Sequence, residues 1–139
     1  MIDAVRTAIV SRFNDTPNDF NTAVGGQHLA YVQAARSWNA PYAVFSFPPG
    51  FHSANTFDAR IEESEAQFNC FSITSDGAAD IAKKCGAHYH RVTLSASGIK
   101  NFRMTRRGSG LPPMPVNKND EASLWMAVVI FEFMVQEAS

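Results

Sequence analysis

The order of patterned segments predicts an α+β fold: a mostly antiparallel sheet of four to five strands packed against two helices, in a single domain spanning residues 1–139. Three observations carry that prediction. Residues 2–13 repeat apolar side chains at helical spacing, residues 60–73 and 99–106 alternate, and residues 123–136 are apolar in both phases.

Ile2, Val5, Ile9 and Phe13 are separated by steps of three and four, which sets them on one face of an opening helix. Asp15-Thr16-Pro17-Asn18-Asp19 stops that helix with turn-forming residues, Phe20 to Val24 adds a helical turn, and Gly25-Gly26 breaks it. Strands are expected at His28–Gln33 and Tyr42–Phe47, the second ended by Pro48-Pro49-Gly50 because proline donates nothing to a ladder. Residues 51–56 read as a loop.

Between Arg60 and Ile73, Glu63, Glu65, Gln67 and Asn69 fall in one phase and Ala66, Phe68 and Cys70 in the other. The polar phase suits water or a wet subunit contact. Ser75 is the expected N-cap of a second helix, with Asp76 in its first turn. That helix carries Ala78, Ile81, Cys85 and Tyr89 at helical spacing, and Gly86 weakens it by about 1 kcal/mol relative to alanine. After the turn Ser95-Ala96-Ser97-Gly98, residues 99–106 set Ile99, Asn101, Arg103 and Thr105 opposite Lys100, Phe102, Met104 and Arg106. A long loop rich in Gly, Pro and Asn follows from Arg107 to Glu121, where regular structure is not expected and function or mobility is. In the last strand Trp125, Ala127, Val129, Phe131 and Phe133 share one phase, and Leu124, Met126, Val128, Ile130 and Met134 share the other.

The composition narrows the function. Net charge is −1 with a pI near 6.4, which argues against a dedicated nucleic-acid binder but not against one local basic patch. Charged residues are 18% of the chain, below the roughly 25% of an average domain, which leaves surface for protein contact. Cys70 and Cys85 form no CxxC or repeated pattern and suit reduced thiols in a cytoplasm. The first residues lack a secretory pattern, and Leu124 to Val135 is too short for a membrane helix.

Fragments that suggest chemistry have blander readings. His88-Tyr89-His90 lacks further ligands at metal spacing and suits a helix C-terminus, where histidine complements the dipole. Glu62, Glu63 and Glu65 suit a solvated or interfacial strand face better than a convergent acid–base pair. No nucleophile elbow, P-loop or dinucleotide glycine pattern occurs. No catalytic residue, metal or cofactor is therefore expected. Arg103, Arg106 and Arg107, with Lys100 and Lys118, are the local basic concentration, either a solvated strand end or a surface toward nucleic acid or an acidic partner. Leu111, Met114 and Val116 give the long loop apolar anchors for a partner. Two small helices cover one face of a sheet, so something else must cover the other. Trp125, Phe131 and Phe133 read as core. The strand as a whole supplies the candidate subunit interface, Trp125, Val128, Val129, Ile130 and Phe131, with its outward phase left open.

In order and spacing these pieces resemble the tail-completion, or head–tail joining and tail terminator, proteins of long-tailed phages and prophages. The resemblance rests on the opening helix, Val24-Gly25-Gly26, Ala40-Pro41-Tyr42-Ala43-Val44-Phe45 and Ile61-Glu62-Glu63 leading into Ala66-Gln67-Phe68-Asn69-Cys70-Phe71-Ser72. It continues through Asp76-Gly77-Ala78-Ala79-Asp80-Ile81-Ala82 and closes on Trp125-Met126-Ala127-Val128-Val129-Ile130-Phe131-Glu132-Phe133. It covers nearly the whole chain. It implies a non-enzymatic virion protein forming a ring, commonly a hexamer, at the tail–neck junction. The implied partners are the tail tube protein and a neck or head-completion protein, with nonspecific contact to passing DNA and no membrane. Other readings are a different neck or tail-tube component, or a small-molecule-binding α+β module. Mass in solution separates these, since a pocket protein would be a monomer.

Overall fold

The computed structural model describes residues 2–35, 38–48, 52–54, 61–108, 112–116 and 124–138, with 52–54 described as backbone alone. In chain order the elements are α1 (Ile2–Asn14), α2 (Asp19–Ala23), β1 (Leu29–Tyr31), β2 (Tyr42–Ser46), β3 (His52–Ala54), β4 (Ile61–Ser72), α3 (Ser75–Tyr89), β5 (Thr93–Leu94), β6 (Ile99–Arg106), β7 (Met114–Pro115) and β8 (Trp125–Glu137). The strands form one sheet in the order β1-β2-β4-β8-β6-β5, with β3 also on β4 and β7 also on β8. Every pairing is antiparallel except β1 with β2.

The α+β class and the mostly antiparallel sheet stand. The described residues hold eight strands and three helices, rather than four to five strands and two helices. The additions are short. β3 lies within the expected loop at 51–56, of which residues 51, 55 and 56 fall outside the described residues. β7 lies within the loop at 107–121, where Met114 opposes Met126, Pro115 opposes Trp125, and the Val116 N–H donates to the Leu124 carbonyl at 2.9 Å. A two-residue edge strand tolerates proline, which is why that loop holds structure its composition argued against.

The two long strands set the frame. β4 and β8 pair without a break from Ile61↔Gln136 to Ser72↔Trp125. Their inner face lies under α3. Phe68 sits at the centre of that core, stacked on Tyr89 at 5.1 Å and on Phe45 at 5.6 Å, and edge-on to Phe131 at 5.6 Å. Thr74, not Ser75, caps α3: its backbone is extended and its hydroxyl accepts the Gly77 N–H at 3.0 Å. The expected helical face is buried, at Ala78, Ile81, Cys85 and Tyr89.

At the α1–α2 corner, Asn18 Oδ1 accepts the Asn21 N–H at 2.7 Å, while the Asn21 amide donates to the carbonyls of Phe13 and Gly26, both at 3.1 Å. Gly25 and Gly26 end α2 at φ +74° and +89°, which glycine adopts freely. The phase expected for residues 99–106 changes within β6. Register shifts between Lys100 and Arg103, Asn101 turns to φ +57°, and Ile99 joins Phe102 and Met104 on the buried face.

Candidate protein-interaction face

The two phases of β8 have different fates. Ala127, Val129, Phe131, Phe133 and Val135 point under the helices and are buried. Met126, Val128 and Ile130 point the other way and are half-buried, while Glu132 and Met134 in the same phase are exposed. The five candidate interface residues therefore separate. Val128 and Ile130 lie on the outward face. Val129 is 1% and Phe131 0% exposed, so both are core side chains, because the helix layer covers that phase. Trp125 shares their phase, half-buried against the core. Glu132 is the sequence signal for the outward phase: a charge in step with Val128 and Ile130 marks the face that none of the described helices covers.

The outward face has two halves. At one end, strand pairing lines up Tyr42, Phe71, Met126 and Met114 across four strands, with Val44, Asn69 and Val128 in the next row and Ser46, Gln67 and Ile130 in the third. Tyr42 and Phe71 stack at 4.8 Å. Val116 pairs beside Leu124 at the rim, and Ile73 follows the end of β4. Among the described residues the exposed large hydrophobics are Ile2, Val32, Ile73, Met114, Val116 and Met134. The last four lie on this face or at its end. Scattered apolar side chains are ordinary on a monomer, but here they gather on one sheet face that none of the described helices covers, which makes it a candidate contact surface.

At the other end the face is charged. Glu65 and Glu132 oppose each other, and Arg107 bonds to Glu65 while its Nε lies 3.5 Å from a Glu132 carboxylate oxygen. Beyond them Met134 is flanked by Glu63 on β4 and Arg103 on β6. Glu63, Glu65, Arg103, Glu132 and Met134 line an open cavity of about 740 Å³. The cavity lies on the sheet surface rather than inside the fold.

Among the described residues the basic candidates do not converge, and Lys118 lies outside them. Arg103 and Arg107 are exposed on the outward face, but Arg106 points under the helices, where its guanidinium lies against Gly86. Gly86 thus marks a close approach: a Cβ there would sit 2.8 Å from Arg106 Nη1. Around Arg107 the carboxylates of Glu63, Glu65 and Glu132 outnumber the guanidiniums of Arg103 and Arg107, which is not a surface that gathers phosphates. Met114 and Val116 are 40% and 51% exposed, and Leu111 lies outside the described residues.

The other fragments have structural partners. The His88 imidazole bonds to the Arg12 carbonyl at 2.9 Å, and His90 Nδ1 accepts the Arg106 N–H at 2.9 Å. Burial and the Arg12 guanidinium lower the His88 pKa, with the bond to Arg12 opposing them. Glu62 is buried on the inner face, away from Glu63 and Glu65. Cys70 and Cys85 are free and buried where α3 crosses β4, and burial pushes the Cys85 thiol well up. Among the described residues no three His, Cys, Asp or Glu side chains are grouped to hold a metal, and no helix is long and apolar enough to cross a membrane.

No protein-family model matches the sequence, and no curated protein is similar to it. Solved structures share the fold. A chain from the virion of a native gene transfer agent particle is 12% identical and superposes with a TM-score of 0.70, over 97% of this chain and 96% of that one. A second solved chain is 14% identical with a TM-score of 0.56, over 100% of this chain and 96% of its own. At such identities the likeness is one of fold.

Proposed function

We propose that the chain is a structural, non-enzymatic subunit of a phage-like particle, working as a ring at the junction of tail and neck. The observation that carries this reading is the fold shared, nearly end to end, with a chain of a gene transfer agent virion. The outward face of the sheet supports it, since an apolar and charged surface that no described helix covers suits protein neighbours better than a small ligand. A ring closes when one patch on each subunit meets a different patch on the next. In this reading the neighbours are further copies, in the hexameric ring that the family resemblance implies, together with the tail tube protein and a neck or head-completion protein. Val128 and Ile130 belong to the contact surface, Met114 and Val116 to the arm that reaches a partner. Arg107, held by two carboxylates, serves the protein contact rather than passing DNA.

Complementation tests this. Cells that produce the particle without this chain should accumulate filled heads and separate tails. The parent gene should restore joined particles, and a gene with residues 109–119 shortened to a tight turn should not. Infectious, joined particles formed in the absence of the protein would overturn the proposal.

A further inference from the structure

We infer that the free protein pairs with a second copy of itself across the outward sheet face, about a two-fold axis running along β8. The charge pattern of the face carries this. Glu63 on β4 and Arg103 on β6 both oppose Met134 on β8. Both are exposed, and neither forms an ion pair among the described residues. Neighbouring strands lie about 4.8 Å apart, so the two residues' backbones stand roughly 10 Å apart, one on each side of Met134. Neither charge is neutralised by the other in this structure, and both are placed to be met from above.

A two-fold axis parallel to β8, between two stacked sheets, exchanges left and right but keeps each residue's level along the strand. β4 of one copy then lies over β6 of the other. Glu63 meets Arg103 of the second copy, Arg103 meets its Glu63, and Met134, 48% exposed, meets its own counterpart. The same operation lays Met126, Val128 and Ile130 on the same residues of the second copy, apolar on apolar. An axis across the strands would instead set the apolar end on the charged end. Two sheets pack face to face about 10 Å apart with strands nearly aligned, which is the arrangement this axis produces. Glu132 also meets its counterpart, a like-charge contact that Arg107 beside each carboxylate offsets. The contact is isologous and closed, so it hides the face in the free protein until particle neighbours replace the second copy.

Native mass spectrometry and sedimentation equilibrium on the purified chain test the pair, separately from any role in a particle. The parent protein should be a dimer. Glu63→Arg and Arg103→Glu should each weaken it by roughly tenfold or more, because each places like charges opposite each other twice. Mixing the two variants should form a heterodimer, since one then presents two cations and the other two carboxylates. The double variant should dimerise again. Circular dichroism checks that each exposed substitution leaves the fold intact. A parent protein that stays monomeric at every concentration, or variants that do not recombine on mixing, would overturn the inference.

Discussion

His88 joins the ends of two helices. Its ring donates to the Arg12 carbonyl, and the Arg12 guanidinium donates back to the His88 carbonyl at 3.2 and 3.3 Å. The sequence places His88 correctly at a helix C-terminus but suggests a cation there to complement the dipole. Arg12, distant in sequence, is the cation, and His88 is a neutral donor held by burial. No local pattern announces a contact between residues 76 positions apart. The sign of the pH effect follows from the lowered pKa. Above the usual value near 6.5 the ring is neutral in both states. As pH falls through that value the unfolded chain takes up a proton that the folded chain resists, so stability falls until the folded ring also titrates. His88→Gln retains a donor and loses the titration. Its melting temperature should therefore fall less than the parent's between about pH 7.5 and pH 5.5. Equal falls in the two proteins would assign the effect elsewhere. Beside it, the Tyr89 hydroxyl donates to the Ile9 carbonyl at 2.8 Å in the core, and Tyr89→Phe should cost about 0.5–1.5 kcal/mol in chemical denaturation.

At the scale of elements, β8 is legible as a long strand because both its phases are apolar, but the structure buries only one of them under the helices. Which phase the helices take is set by β4, where Ala66, Phe68 and Cys70 line the same face as Val129 and Phe131. Val129→Asp should therefore unfold the chain, since a charge in that core finds no partner. Val128→Asp should leave the fold and weaken association. Circular dichroism and light scattering on the two variants separate these outcomes, and a folded Val129→Asp would contradict the assigned phase. Gly86 looks in sequence like a mere weak point of α3. Its reason is the Arg106 guanidinium lying where a side chain would go. In an Arg106→Ala background Gly86→Ala should stabilise by about 1 kcal/mol, the helix-propensity difference. In the parent the gain should be smaller, because Arg106 must shift. Equal gains in both backgrounds would show that Arg106 does not impose the glycine.

For the whole molecule, the class and the main strands were legible because long segments carry period. The short strands β3, β5 and β7 were not, since two or three residues hold no period and take their structure from the strand they pair with. The outward face was legible only in part. The polar phase of residues 63–69 pointed to a wet contact, but the apolar rim at Ile73, Met114 and Val116 needed the strand register to come together. That rim, with the charged half beyond it, is what a structural subunit would present to its neighbours. Locating the chain in the particle that encodes it tests this account most directly. Electron microscopy at side-chain resolution should find a ring of copies between tail tube and neck, with Val128 and Ile130 covered by protein. Density for the chain elsewhere in the particle, or particles that lack it altogether, would contradict the account.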